Sequence, residues 1–261
     1  MGPAEGLAIF GVGVAAGAVN AVVGSGSLIT FPTLLAFGFP PVVANVSNNV
    51  GLVSGNVSGA VGYRHELSGQ RSRLTRLAVY SAAGSLAGAA ALLALPSSSF
   101  ELIVPVLILT ACVLVLIQPW LSRRISSTRE RRAEQDGAAS PGRERISPVL
   151  GAGVFGSAAY GGYFGAAQGV LVIGLLGTFL DESMQRVNGA KNVLVAVVNG
   201  TAALVYIIFA HVAWLVVLLI AVGSTLGGFL GAKFGRRLPP RALRIFVVLI
   251  GVISAVKLIF F

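Results

Sequence analysis

Asn45, Asn49 and Asn56 lie in one apolar stretch of the chain, and Asn188, Asn192 and Asn199 lie in another. At about 100° per residue, each trio falls within about 40° on a helix, so each stretch carries one polar stripe. Such amides either bond to a neighbouring helix or face a polar cavity. Those near the starts of the stretches, Asn45, Asn49, Asn188 and Asn192, suit the second role. Lys191 stands between two of them. Its ammonium either snorkels along its stem to an interface or offers positive charge to an anion. Two glycine runs complete the set. One is Gly24-Ser25-Gly26-Ser27, followed by Leu28 and Pro32; the other is Gly161-Gly162-Tyr163-Phe164-Gly165-Ala166-Ala167-Gln168-Gly169. Glycine and proline there predict interrupted helices, with Gly24, Gly26, Pro32, Gly165 and Gly169 as the break residues. Unwound backbone leading into a helix presents N–H groups and the positive end of the helix dipole. Ser25 and Ser27 add hydroxyls and Gln168 an amide. This chemistry suits an anion with several oxygens.

Other chemistries lack their residues. There is no HExxH, no Walker motif, no Ser/His/Asp set and no intramembrane pair of acids. His65 falls in a loop and His211 at a junction, and Cys112 is the sole cysteine. No catalytic residue, metal site or cofactor is expected. Tyr160 and Tyr163 precede the second break, where they suit cavity lining and packing equally.

The elements that must hold these residues follow from composition. Of 261 residues, 55% are apolar and 11% charged, and mean hydropathy is +0.86. That excludes a soluble enzyme and a disordered chain, and indicates an all-α polytopic membrane protein. The 34 glycines favour close helix packing. Apolar stretches cover 6–38, 41–63, 74–95, 101–121, 148–180, 187–210, 212–232 and 242–261. Six of the eight have the length of one crossing. The two long ones, 6–38 and 148–180, hold the glycine runs and read as two shorter helices each. The only early charge is Glu5, so a cleaved signal peptide is not expected.

The net charge of +10 is mainly an orientation signal, not a sign of nucleic-acid binding. Of 19 basic residues, 16 fall in three places. These are Arg64, Arg71, Arg73 and Arg76; then Arg123, Arg124, Arg129, Arg131, Arg132, Arg143 and Arg145; then Lys233, Arg236, Arg237, Arg241 and Arg244. All three should be cytoplasmic in a multi-pass protein of the bacterial inner membrane. Eight simple crossings cannot put them on one side. The conflict disappears if 148–180 enters and returns as a hairpin. If 6–38 does the same, the halves have opposite orientation, as in inverted-repeat transporters.

A shift of 143 residues brings Asn45, Asn49 and Asn56 onto Asn188, Asn192 and Asn199, and Gly26 onto Gly169. Residues 1–121 and 148–261 therefore read as two transmembrane repeats. Residues 122–147 read as a solvated basic linker whose Arg residues orient the protein and meet anionic lipid. Under the same shift Lys191 falls on Asn48, so the halves are not chemically equivalent.

Several runs together resemble the sulfite exporter TauE/SafE family of membrane permeases. The first is Gly24-Ser25-Gly26-Ser27-Leu28 through Pro32, Leu34, Gly38, Pro40-Pro41-Val42-Val43-Ala44 and Ser47-Asn48, with Tyr63-Arg64 beyond. The second half adds Tyr160 to Ala166, Asn188-Gly189-Ala190-Lys191-Asn192 and Gly227 through Leu238. The resemblance covers nearly the whole chain outside 122–147. Ser25 stands where the family often has glycine, and no proline follows the second break. The resemblance implies a permease for sulfite or organosulfonates. The candidate binding residues are Gly24, Ser25, Gly26, Ser27, Asn45, Asn48, Asn49, Gln168, Gly169, Asn188, Lys191 and Asn192. The expected partners are the oxyanion and the lipid bilayer, with a homodimer left open. A passive anion channel and a membrane-embedded accessory protein are the alternatives.

Overall fold

The structure, a computed structural model, describes residues 1–136, 147–234 and 240–260. Arg143, Arg145, Arg236 and Arg237 of the basic clusters lie outside the described residues. Ten helices are described: α1 (Pro3–Val22), α2 (Ser27–Ala36), α3 (Pro41–Gly62), α4 (Arg71–Ala94), α5 (Ser97–Asp136), α6 (Pro148–Tyr163), α7 (Gln168–Phe179), α8 (Met184–Phe209), α9 (Trp214–Phe234) and α10 (Pro240–Phe260). Of these, α1, α4, α5, α8 and α9 are long and apolar enough to cross a membrane, while α2 and α7 are short apolar helices. The protein is an all-helical polytopic membrane protein. Its outer surface is apolar: α5 exposes Leu102, Val106, Leu109, Val113 and Leu116, with Leu102 81% accessible. In water such a face would drive aggregation, whereas in lipid it is the solvated face.

Each long apolar stretch is two helices with a break between them. α2 folds back along α1, with Thr30, Thr33 and Leu34 beside Ile9 and Val12. α7 folds back along α6: a Cβ on Gly153 would meet Leu175, and one on Gly161 would meet Gln168. Two break assignments from sequence are corrected. Pro32 lies inside α2, and Gly169 lies in the first turn of α7. Pro32 sits in the interior of this ten-residue helix, where it removes the backbone bond to the Leu28 carbonyl without ending the helix. Residues 122–136, expected as loop, instead continue α5. Their Arg, Glu, Ala and Gln are good helix formers, and propensity prevails where no turn residue intervenes.

Small residues set the packing. α9 lies between α1 and α3 and runs in the direction of both. Gly13 and Gly17 of α1 abut Ile220 and Ser224, and Gly51, Gly55 and Gly62 of α3 abut Ile220, Ser224 and Ala232. A Cβ on Gly227 would stand 1.9 Å from the Val14 carbonyl oxygen, so only glycine fits there. α4 and α6 pack in the same way, with Gly84 on Phe155 and Gly88 on Ala159. α10 runs antiparallel to α5: Gly251 abuts Cys112 and Ile108, and Arg244 reaches Gln118.

These contacts bring the ends of α3 and α9 and the starts of α4 and α8 to one face. Tyr63 at the end of α3 meets Asn188 near the start of α8, Arg73 in the first turn of α4 meets Glu182, and Gly62 meets Ala232 beside Lys233. The turn before α9 is tied to the other end of α3, where Ser47 Oγ accepts from the Ala213 N–H.

Gly227→Ala should lower the melting temperature of the detergent-solubilised protein, by about 3 kcal/mol of stability or more. Gly200→Ala, whose added Cβ meets nothing within 4 Å, should leave it unchanged or slightly raise it. A thermal scan of both variants checks this.

Candidate functional site

α1 ends because Gly24 turns the chain through a left-handed conformation, φ +85°. The reversal leaves carbonyls at the end of α1 without intrahelical donors, inside an apolar environment where each would be costly. Val19 O accepts from the N–H groups of Val23 and Gly24. Lys191 Nζ donates to Asn20 O at 2.8 Å and Ala21 O at 3.1 Å. Asn188 and Asn192 each add an Nδ2 donor to Ala21 O at 3.3 Å. Gln118 of α5 donates to Val23 O at 3.2 Å and accepts from Arg244 Nε. Lys191 is 0% exposed, so the snorkelling alternative is excluded. Its ammonium points into the protein, at the end of another helix. No carboxylate lies within ion-pair distance of it among the described residues.

The second break is held by different groups. Gly165 (φ +80°) and Ala167 (φ 59°) turn the chain. Tyr163 O accepts from Asn45 Nδ2 at 3.0 Å, Gly162 O from the Tyr206 hydroxyl, and Ala166 O from the Tyr160 hydroxyl at 2.7 Å. Asn45 therefore does for α6 what Asn188 does for α1, each reaching across to the other hairpin.

The two breaks meet. Gly169 N donates to Gly24 O at 3.2 Å. A Cβ on Gly24 would stand 2.6 Å from Gly169 Cα, and one on Gly169 would stand 2.5 Å from Gly24 Cα. Backbone touches backbone, and the Lys191 stem passes alongside: its Cδ would be 3.4 Å from a Gly24 Cβ. On either side of this crossing, Ser25 Oγ and both polar atoms of the Gln168 amide are buried without a hydrogen-bond partner. Asn49 Nδ2 reaches Asn199 Oδ1 at 3.4 Å, so the two asparagine stripes touch, while Asn49 Oδ1 and Asn45 Oδ1 have no partner.

Other candidates are engaged elsewhere. Asn48 accepts from the Thr30 hydroxyl. Asn56 accepts from Asn20, whose Oδ1 takes the N–H of Gly26 at 3.3 Å. Gly26 caps α2 and packs on the Ala16 carbonyl, and Ser27 opens α2 as a buried residue. Sequence reasoning missed Asn20, Thr30, Gln118 and Tyr206. Asn20 and Gln118 are lone polar residues in apolar runs, so the cost of burying a polar group would have found them. Tyr206 carried no such signal, because its ring packs like any other aromatic.

At the face where α4 and α8 begin, Glu182 bridges Arg73 at 2.6 Å and Arg186, and Arg186 also donates to Ser68 O at 3.0 Å. Burial alone would raise the Glu182 carboxyl, but the hydrogen bonds and charges of the two arginines outweigh it and hold it below the usual carboxylate range. Among the described residues, no group of three or more His, Cys, Asp or Glu is placed to hold a metal ion.

Crossed helix hairpins with buried amides at the crossing, inside an apolar multi-helix shell, form an arrangement of the kind that polytopic membrane transporters use. The family model described as "Sulfite exporter TauE/SafE" matches residues 9–258. The chain belongs to the sulfite exporter TauE/SafE family, and as such it is a membrane transport protein and not an enzyme. It is 24% identical over 254 residues to a probable membrane transporter protein of Haemophilus influenzae, covering 97% of this chain and 93% of the relative. It is 23% identical over 256 residues to the probable membrane transporter protein YfcA of Escherichia coli K12, covering 97% and 88%. A probable membrane transporter protein of Sinorhizobium sp is 22% identical over 246 residues. No solved structure matches the chain significantly.

The Glu182 pair gives a pH prediction. A carboxyl held low when folded stabilises the fold above its unfolded value, and that stability is lost as pH falls through the folded one. The melting temperature should therefore drop below about pH 4. Glu182→Gln should flatten that acid limb and cost about 1 kcal/mol at neutral pH. Thermal scans across pH compare the two proteins.

Proposed function

We propose that this protein carries a small oxyanion, sulfite or an organosulfonate, across the bacterial inner membrane by alternating access. The observation that carries the reading is the Gly24–Gly169 crossing. There Ser25 and Gln168 hold unmatched buried polar atoms beside the uncompensated charge of Lys191. An anion with several oxygens supplies acceptors for these donors and a counter-charge for the ammonium. Backbone N–H groups at the starts of α2 and α7 add to the positive field. Asn45, Asn49, Asn188 and Asn192 line the approach from either half, and Asn48 reaches it through Thr30. Residues 1–121 and 148–261 act as inverted repeats that rock about the crossing. The basic linker 122–147 and the other basic reversals face the cytoplasm.

Proteoliposomes loaded with sulfite or methanesulfonate should show saturable flux. In sodium-free medium, Gln168→Leu and Lys191→Ala should each reduce it by at least about tenfold, as expected when a charged or hydrogen-bonding partner is lost. No saturable flux in the wild type, or equal flux in all three proteins, would reject the oxyanion reading.

Orientation has a separate check. In a Cys112→Ala background, Ser183→Cys and Lys233→Cys should resist a membrane-impermeant thiol reagent on intact cells, and Ser98→Cys should react. All three positions are exposed. Labelling of either of the first two from outside would reverse or break the assignment.

A further inference from the structure

Besides the charge it offers at the crossing, Lys191 has a second set of partners, which are carbonyl oxygens. Two C-terminal carbonyls of α1, those of Asn20 and Ala21, take two of its protons. The buried Asn188 Oδ1 has no hydrogen-bond partner, and the Asn192 amide reaches the same Ala21 oxygen. Stripped of the lysine, this corner is a cluster of neutral oxygens at the negative end of a broken helix, with two amides that can turn their oxygens inward. Neutral hard oxygens with no carboxylate suit a small monovalent cation better than a divalent one. Helix ends of this kind hold sodium in transporters built on broken helices.

We propose that the Lys191 ammonium is a tethered cation standing where the C-terminal carbonyls of α1 would otherwise hold a sodium ion, so this protein works without sodium. The charge locks the tip of the first hairpin to α8 and is carried by the chain, not drawn from solution. The asymmetry between the halves fits. At the position equivalent to Lys191, the first half has Asn48, a neutral amide occupied by Thr30. The α6 end is capped by Asn45 and two tyrosine hydroxyls, with no cation. The inference rests on the permease reading for its meaning, but its binding arm needs no substrate.

The test is a cation-dependent thermal scan of purified protein in sodium, potassium and choline chlorides at constant ionic strength. Wild type and Lys191→Arg should melt alike in all three. Lys191→Ala should melt lower in choline and rise by about 3 °C or more at saturating sodium, with a smaller response to potassium. If the alanine variant aggregates during purification, the same comparison is made on recovery. Monodisperse protein in sodium but not in choline supports the inference, and equal loss in both salts overturns it. Lys191→Met, which keeps the stem and blocks the space, should be low-melting and indifferent to sodium. A sodium response in the wild type, or none in Lys191→Ala, overturns the proposal. Absence of oxyanion flux in every protein, with the sodium-dependent melting intact, would reject the substrate and leave the cation site standing.

Discussion

Every carbonyl at the end of a broken helix must find a donor before hydrocarbon will hold it. The rest of this molecule follows from that demand, made twice. A straight helix satisfies its own backbone; α1 and α6 stop within the protein and cannot. The donors they need come from elsewhere: Lys191, Asn188 and Asn192 of α8 and Gln118 of α5 for the first, Asn45 of α3 and Tyr206 of α8 for the second. These polar side chains are tolerated in an apolar setting because backbone oxygens require them. Among the buried atoms with no partner, those of Ser25 and Gln168 stand out because they flank the crossing of the two breaks.

Packing answers the same demand. For α3 and α8 to reach the ends of α6 and α1, the helices packed beside them must allow close approach. α9 and α4 do so, with Gly223, Gly227 and Gly231 or Gly84 and Gly88 turned toward a neighbouring backbone. The long arm of each hairpin lies on a helix from the other half of the chain, α1 on α9 and α6 on α4. Such contacts trade side-chain volume for proximity, and in a membrane, dispersion between close backbones holds helices together where hydrophobic exclusion cannot.

Much of this was legible in the residues. The excess length of 6–38 and 148–180 with central glycines identified two broken helices, because a bilayer fixes how long one crossing is. The asparagine stripes and Lys191 stood out because polar groups in lipid are costly. What the sequence could not carry was the identity of partners. Lys191 offered no hint that it caps the end of α1, since a carbonyl has no sequence signature. Pro32 misled because a proline inside a helix deletes one backbone bond without having to end the helix, and α2 continues past it to Ala36. The helical continuation of α5 past residue 121 was hidden by reading charge as loop, although arginine and glutamate extend helices well.

The bond from Lys191 to Asn20 joins residues 171 apart in the chain. α1 is therefore synthesised and inserted long before the side chain that completes it exists. Until α8 arrives, the first hairpin must wait with its end open, shallow in the bilayer or covered by water and other proteins. A helix of the second half thus sets the moment when the first one can settle. A chain interrupted between its halves would leave that first hairpin permanently unfinished.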